Sequence, residues 1–335
     1  MRIVNAMFGR GRGGLEQVFL DYNEALAAAG HEVRALIHPD AEIRDVLERG
    51  GAFHAIANRN AWDPVAMLRL RAWLKGEKPA VVMAHGNRAI SLLKGAGARP
   101  LIGVAANYTL KGRGLDAILC ATEDLARHCR ARGFGPVSIV PHAVVTPEAA
   151  PPQTWRDPPV IGAMGRFVAK KGFDVLVEAL ARLRDGGTEF RAIIAGDGEE
   201  AAALKRLARE RGLEEVVEFP GWQSDVAAFF QAIGIFCLPS RHEPFGIVVL
   251  EAMAQALPVI ATDSEGPVEI LRDGEDGIIV PKDDPAALAG AIARLLADRA
   301  AARDIALRGY DKVRERYSPA RLSRQLDEAV RTVAR

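Results

Sequence analysis

Short apolar runs rich in Val and Ile alternate along this chain with longer stretches in which apolar positions recur every three to four residues. In the first half the runs are RIVNAMF, EVRALI, AVVMAH, PLIGVAA and AILCA, and helical patterns such as GLEQVFLDYNEALAAAG and PVAMLRLRAWLKG lie between them. Strands apolar on both faces, each followed by an amphipathic helix, are the pattern of a parallel sheet covered by helices on both sides. Gly30 closes the first helix directly before EVRALI, and glycine suits the left-handed cap of such a helix-to-strand return. From Pro141 to Pro159 the periodicity fades into a proline-rich segment that reads as a linker. The alternation then restarts, with strands VIGAMGRF, FRAIIAG, VVEFPG, GIFCLPS, PVIATD and GIIVP and helices including GFDVLVEALARLRDGG, EEAAALKRLARERG and GIVVLEAMAQA. Beyond about Pro285 only amphipathic helices follow. The expectation is an α/β chain of two similar domains, residues 1–150 and 151–315, with a final helix at 316–335 that packs back on the first domain.

Length and composition agree, since 335 residues with 49% hydrophobic content can fill two cores. No run approaches the roughly 18 apolar residues of a membrane span, and MRIVNAMFGR reads as a first strand rather than a signal peptide. Cys120, Cys129 and Cys237 form no C-x-x-C arrangement, which points to neither a disulfide framework nor a zinc site and fits a reducing cytoplasm. A net charge of +1 argues against nucleic acid as a partner. The charge is uneven, however: residues 1–150 carry 19 Lys and Arg against 14 Asp and Glu. Between Arg59 and Arg113 ten basic residues face only Asp63 and Glu77. Such a stretch is either a solvated basic surface or one that faces anionic lipid or a phosphorylated acceptor.

The chemistry concentrates in R-H-E-P-F-G-I-V-V-L-E, residues 241–251. Glu243 stands in a loop after GIFCLPS, and Gly246 opens a helix whose first amides, on Gly246, Ile247 and Val248, can bind a diphosphate. Glu251 interrupts an apolar helix, where a carboxylate needs a partner if buried. In M-G-R-F-V-A-K-K-G, Arg166 and Lys171 follow a strand end and supply two cations for a leaving diphosphate. No D-x-D occurs, so no metal is expected at the pyrophosphate. The loop G-R-G-R-G-G, residues 9–14, leads into a helix without a P-loop Lys, and EVRALIHPD offers no clean acidic partner for a nicotinamide ribose. His85 ends the strand AVVMAH at the carboxyl edge; the other six histidines lack such a placement.

Taken in order, the glycine loop, the strand-end His, G-R-x(4)-K-G, AGDGEE and E-x-F-G with a second Glu after seven residues resemble the retaining GT-B glycosyltransferases of family four. The likeness is densest over about residues 160–300. It implies the GT-B fold, two Rossmann-like domains with an interdomain cleft. It also implies that Arg166 and Lys171 contact the donor diphosphate, together with the amides of Gly246, Ile247 and Val248. Glu243 would contact the transferred sugar, Glu251 the ribose, and Gly221, Trp222 and Gln223 the nucleobase. Gly13 and Gly14 would approach the donor phosphate, and His85 would lie near the reaction centre. No cofactor is implied. The expected partners are a nucleotide-sugar donor, with UDP or GDP as its nucleotide, and a glycan or glycolipid acceptor of the lipopolysaccharide kind. The expected location is the cytoplasm, with inner-membrane contact through the basic first domain. The chain departs from the family pattern at His142–Ala143, where an Asn-Gly pair is usual, and at Ala256, where the helix usually ends in Gly. The fold also serves nucleotide-sugar epimerases, and a non-catalytic sugar-nucleotide-binding subunit is the reading from another class.

Overall fold

In the computed structural model, residues 1–11, 13–50, 53–152 and 155–334 are described, so Arg12 of the glycine loop and Gln153 and Thr154 of the linker lie outside the described residues. The chain divides into two compact units, Met1–Ala143 with Pro319–Arg335, and Val144–Ser318.

The first unit alternates β1 (Arg2–Met7), α1 (Gly14–Ala28), β2 (Glu32–Ile37), α2 (Arg44–Gly50), β3 (Phe53–Ala55), α3 (Pro64–Glu77), β4 (Val81–His85), α4 (Gly86–Gly95), β5 (Leu101–Ala105), β6 (Ala117–Cys120), α5 (Glu123–Ala131) and β7 (Val137–Ile139). Among the described residues the strands form one parallel sheet in the order β3-β2-β1-β4-β5-β6-β7. The central strands are buried along nearly their whole length, as apolar runs in a doubly covered sheet must be. Helix starts follow local chemistry: Asp63 accepts from the amides of Val65 and Ala66 with Pro64 at the first helical position, and Thr122 accepts from Leu125. Gly30 takes φ +81° after α1, and His31 N–H returns to the Leu26 carbonyl at 3.1 Å.

The second unit repeats the design with β8 (Val160–Met164), a single 3₁₀ turn at Ala169–Lys171, α6 (Phe173–Asp185), β9 (Arg191–Ala195), α7 (Ala201–Glu210), β10 (Val217–Glu218), α8 (Val226–Ala232), β11 (Ile235–Leu238), α9 (Ile247–Ala254), β12 (Val259–Thr262), α10 (Pro267–Ile270), β13 (Ile278–Val280), α11 (Pro285–Ala297) and α12 (Arg299–Arg316). Its described strands run in the order β10-β9-β8-β11-β12-β13, all parallel. The core lies between this sheet and its helices, with Ile161, Phe173, Leu180, Ile194, Ile260 and Ile292 at its centre.

The chain then returns to the first unit. Helix α13 (Pro319–Val333) lies along α1, burying Leu322, Leu326 and Val330 with Ile3, Val18, Tyr22 and Leu26. Ser323 Oγ donates to the Ala25 carbonyl at 2.7 Å, and His31 Nε2 meets Asp327 Oδ1 at 2.8 Å. In each sheet the strand order reverses once, between β1 and β4 and between β8 and β11. Such switch points leave a crevice at the carboxyl ends of the strands, which is where open α/β sheets bind ligands.

Candidate active site

The switch point of the second unit gathers most of the residues singled out from sequence. Arg166 and Lys171 follow β8, and Glu243 follows β11, its immediate neighbour in the sheet. Backbone bonds join the two loops: the amides of Arg241 and His242 both donate to the Lys170 carbonyl, at 2.9 and 3.2 Å. Gly172, at φ +62°, lies so close to this loop that a Cβ would overlap the Pro239 carbonyl oxygen. Only glycine permits that approach in that conformation. The result is an ion pair between Lys171 Nζ and Glu243 Oε2, residues 72 positions apart. Glu243 is buried at 7% exposure, so the ammonium supplies the charge its carboxylate needs there. Arg166 is exposed and meets no carboxylate among the described residues, which leaves its guanidinium available.

A second clasp holds the loop from the other side. Glu265, after β12, accepts the Glu243 N–H at 3.1 Å, meets His242 Nδ1 at 3.1 Å and lies 3.8 Å from Lys282 Nζ. Burial would raise the Glu265 carboxyl, but these hydrogen bonds and the neighbouring His242 hold it below the usual range. Gly266 N–H donates to the Glu243 carbonyl at 2.8 Å, and a Cβ on Gly266 would overlap the Phe245 backbone. Arg241 forks onto Asp174 at 2.8 and 2.6 Å, reaches Asp283 at 2.5 Å and donates to the Ala169 carbonyl at 2.7 Å. Burial raises the Asp174 carboxyl, and the Arg241 hydrogen bonds and charge outweigh it, leaving the group below its ordinary value.

Between these clasps Gly246, at φ +91°, caps α9, so the amides of Ile247 and Val248 sit in a first turn with no helical carbonyl to receive them. Glu251 is half-buried in the second turn of the same helix. Gly221 joins the site through backbone: Gly196 N–H donates to its carbonyl at 2.9 Å, and Trp222 beside it is 56% exposed with Gln223 half-buried. The G-x-G turn of AGDGEE packs backbone on backbone, since a Cβ on Gly196 or Gly198 would overlap the carbonyls of Gly165 or Phe167. Those two glycines fix the loop that carries Arg166.

In the first unit, Met7 pairs with both Ile37 and His85, so the glycine loop and His85 share one sheet edge. His85 is 2% exposed, with Phe19 and Tyr22 edge-on to its ring at 5.5 and 5.2 Å. Asn5 Nδ2 donates to the Phe19 carbonyl at 3.2 Å, which turns Asn5 Oδ1 toward His85 Nε2 at 2.8 Å. The imidazole proton therefore sits on Nε2. Burial, with a lesser contribution from His142, pushes the His85 pKa down to about 3, so the ring is neutral. Gly13 precedes α1 in an extended conformation and its carbonyl accepts from Gln17 at 3.0 Å; Gly14 is the first helical residue and has open space on its Cβ side.

Comparison with known proteins fits both halves. The family described as "Glycosyl transferases group 1" matches residues 146–312, and a "Glycosyl transferase 4-like domain" matches residues 13–112. The lipopolysaccharide core biosynthesis glycosyltransferase LpsE of Rhizobium meliloti (strain 1021) is 34% identical over 329 residues, 95% of each chain. The chain belongs to the group 1 glycosyltransferases. A second Rhizobium meliloti (strain 1021) protein, the lipopolysaccharide core biosynthesis glycosyltransferase LpsD, is 31% identical to this glycosyltransferase over 95% of this chain and 94% of its own. Its fold is GT-B. The Anabaena protein Alr3699/HepE, solved in complex with UDP-glucose, superposes with a TM-score of 0.85 at 19% identity, over 99% of this chain and 100% of that one.

Sequence reading of this glycosyltransferase missed the residues that act at second hand. Glu265, directly before GPVEIL, was itself given no role, and its partners are 22 and 17 positions away. His242, given no role from its sequence neighbours, has Glu265 against it. Arg241 and Asp174 were visible only as charges beside Glu243 and Lys171, and Asn5 only as a polar interruption of β1. A buried Asn, at 0% exposure within an apolar strand, was the one signal that could have been read.

Proposed function

We propose that this glycosyltransferase moves a sugar from a nucleotide diphosphate donor, with UDP or GDP as the nucleotide, to a hydroxyl of a lipopolysaccharide-type glycan or glycolipid, with retention of configuration and without a metal. The observation that carries the reading is the Lys171–Glu243 pair beside the unpaired Arg166 and the first turn of α9. Lys171 and Glu243 cancel in charge, so Arg166 and the helix N-terminus supply the net positive potential a diphosphate requires. Glu243 holds hydroxyls of the transferred sugar, Glu251 those of the ribose, and Gly221, Trp222 and Gln223 flank the nucleobase. Gly13 and Gly14 are the donor-phosphate contacts assigned to the first unit, which takes the acceptor.

In the reaction the bond from the anomeric carbon to the β-phosphate oxygen breaks as the acceptor oxygen bonds to the same face. The acceptor proton passes to the departing phosphate oxygen, and the charge on that diphosphate is stabilised by Arg166, Lys171 and the α9 amides. His85, neutral and fixed in one tautomer, orders the acceptor side rather than accepting a proton itself. LpsE and LpsD, both named for lipopolysaccharide core biosynthesis, support the acceptor class. A glycolipid acceptor places the enzyme in the cytoplasm against the inner membrane.

A thermal-shift screen with UDP-, GDP-, ADP- and CMP-sugars identifies the donor, because a bound ligand raises stability by mass action. The product anomer is then read by NMR with and without a chelator. Inverted product, or turnover abolished by the chelator and restored by a divalent ion, would overturn the mechanism.

A further inference from the structure

The carboxyl edge of the first sheet holds two cations that the donor chemistry leaves unused. Arg10 follows β1 in the glycine loop, and Arg88 lies in the first turn of α4, three residues past His85. Arg88 Nη1 donates to the Phe8 carbonyl at 3.5 Å, and Arg10 is two residues further along that loop. Both bear on one imidazole: Arg10 Nη2 lies 3.2 Å from Nε2 of His38, just past β2, and Arg88 acts on the same ring. The two guanidiniums thus flank the end of β1, beside the β1–β4 switch point of this sheet.

Buried groups fix this arrangement without neutralising it. His38 and Asn58 are both buried. His38 Nδ1 accepts from Asp40 N–H at 3.1 Å, so the ring proton sits on Nε2, and that N–H and Arg10 Nη2, the latter at 3.5 Å, share the Asn58 carbonyl. Burial, then the Arg10 charge, holds the His38 pKa below its ordinary value, so the imidazole is neutral and leaves the guanidinium charge intact. Asp40 is the one carboxylate at Arg10 among the described residues, 3.9 Å away with both side chains more than half in water, a pair of little strength. Arg88 is exposed and has no carboxylate within ion-pair distance among the described residues. Helix α4 opens with no side-chain cap, so its first amides add potential of the same sign.

Such a pair selects its ligand by charge. A neutral sugar offers hydroxyls that need acceptors as well as donors, and a guanidinium supplies donors only. Its planar fork matches the two oxygens of a carboxylate or phosphate. We infer that Arg10 and Arg88 bind an oxyanion, phosphate or carboxylate, carried by the acceptor. The inference rests on the proposed transfer to a glycan and names the charged group by which that glycan is chosen. A neutral glycan of the same shape is then a poor acceptor.

The test uses a lipopolysaccharide core oligosaccharide in three forms: intact, dephosphorylated, and with its carboxylates reduced to alcohols. Binding to the full chain is measured by calorimetry with UDP and GDP present, so that the donor site is filled and does not report. Wild type should bind the intact form and lose about tenfold or more when the recognised anion is removed, dephosphorylation and reduction telling phosphate from carboxylate. The variant Arg10→Gln, Arg88→Gln should bind all three forms alike, at the wild-type affinity for the form without that anion. Arg88→Lys, which keeps the charge and loses the fork, should fall between. The melting temperatures of these variants should match wild type, since both side chains are exposed. Equal binding of the three forms by wild type overturns the inference, as does a double variant that still discriminates among them or a wild type that binds none. Charge-dependent binding without any transfer of sugar from the donor would instead count against the proposed function and leave the oxyanion site standing.

Discussion

Lys171 and Glu243 serve stability and chemistry at once, and the two can be separated. Changing Lys171 to Met keeps the volume of the stem and removes the charge, stranding a carboxylate whose side chain is 10% exposed, where the lysine was 20% exposed. Removing one partner of a fully buried pair costs about 3–5 kcal/mol, and of a surface pair about 0–1. This pair lies nearer the buried limit, so a cost of about 2–3 kcal/mol is expected. For a unit of this size that lowers Tm by about 5–10 °C. Adding Glu243→Gln should return most of that stability, because the stranded charge is gone. Activity should behave differently: either single change removes about 10² to 10³ from kcat, and the double variant recovers none of it. Arg166→Ala is the control, since an exposed guanidinium without a carboxylate costs within about 0.5 kcal/mol of stability yet should cut kcat by a similar 10² to 10³. Calorimetry of the four proteins with donor turnover closes the cycle. Should Lys171→Met melt with wild type, or the double variant melt no higher than Lys171→Met, the pair does not hold the loop and the argument from burial fails.

Gly172→Ala forces a side chain into a left-handed position against the Pro239 carbonyl, and should cost about 2 kcal/mol or more and raise the donor KM together, measured by melting and initial rates. Glu265→Ala leaves the Glu243 amide without its acceptor and should lower kcat/KM for the donor about tenfold, while Glu265→Gln, which can still accept that amide, should lose less. Burial depresses the pKa of His85 to about 3 and of His142 to about 4, from ordinary values of 6.5. Between those values the unfolded chain binds more protons than the folded one, so the stabilising contribution is complete above pH 6.5 and falls as pH drops, by about 2 kcal/mol per histidine at pH 5. A urea titration across pH 7 to 4 should show the slope, and His85→Asn should flatten it.

The sheets were legible because their central strands are continuous apolar runs with no competing reading. β1, β4 and β5 fall inside RIVNAMF, AVVMAH and PLIGVAA. The edge strands β3 and β7 were not, for Phe53–Ala55 and Val137–Ile139 are three residues each and partly exposed, too short to set a period. Helix α4 was hidden behind His85, where Gly86 at φ +78° reads as loop chemistry but in fact turns the chain directly into a helix. At the site, motif spacing marked both Lys171 and Glu243, but not that they touch; their contact depends on strand order, which put β8 beside β11. Glu265 and Arg241 act through backbone and through other side chains, and residues of that kind leave no local pattern.

The return of α13 to α1 sets an order of events during synthesis. A ribosome delivers all of Val144–Ser318 before it delivers Leu322, Leu326 and Val330, so the first unit waits with one flank of its sheet unsealed while its neighbour can already close its own core. Until that last helix arrives, Ile3, Val18, Tyr22 and Leu26 lack part of their cover. Premature termination after Ser318 would thus damage the part of the enzyme made first.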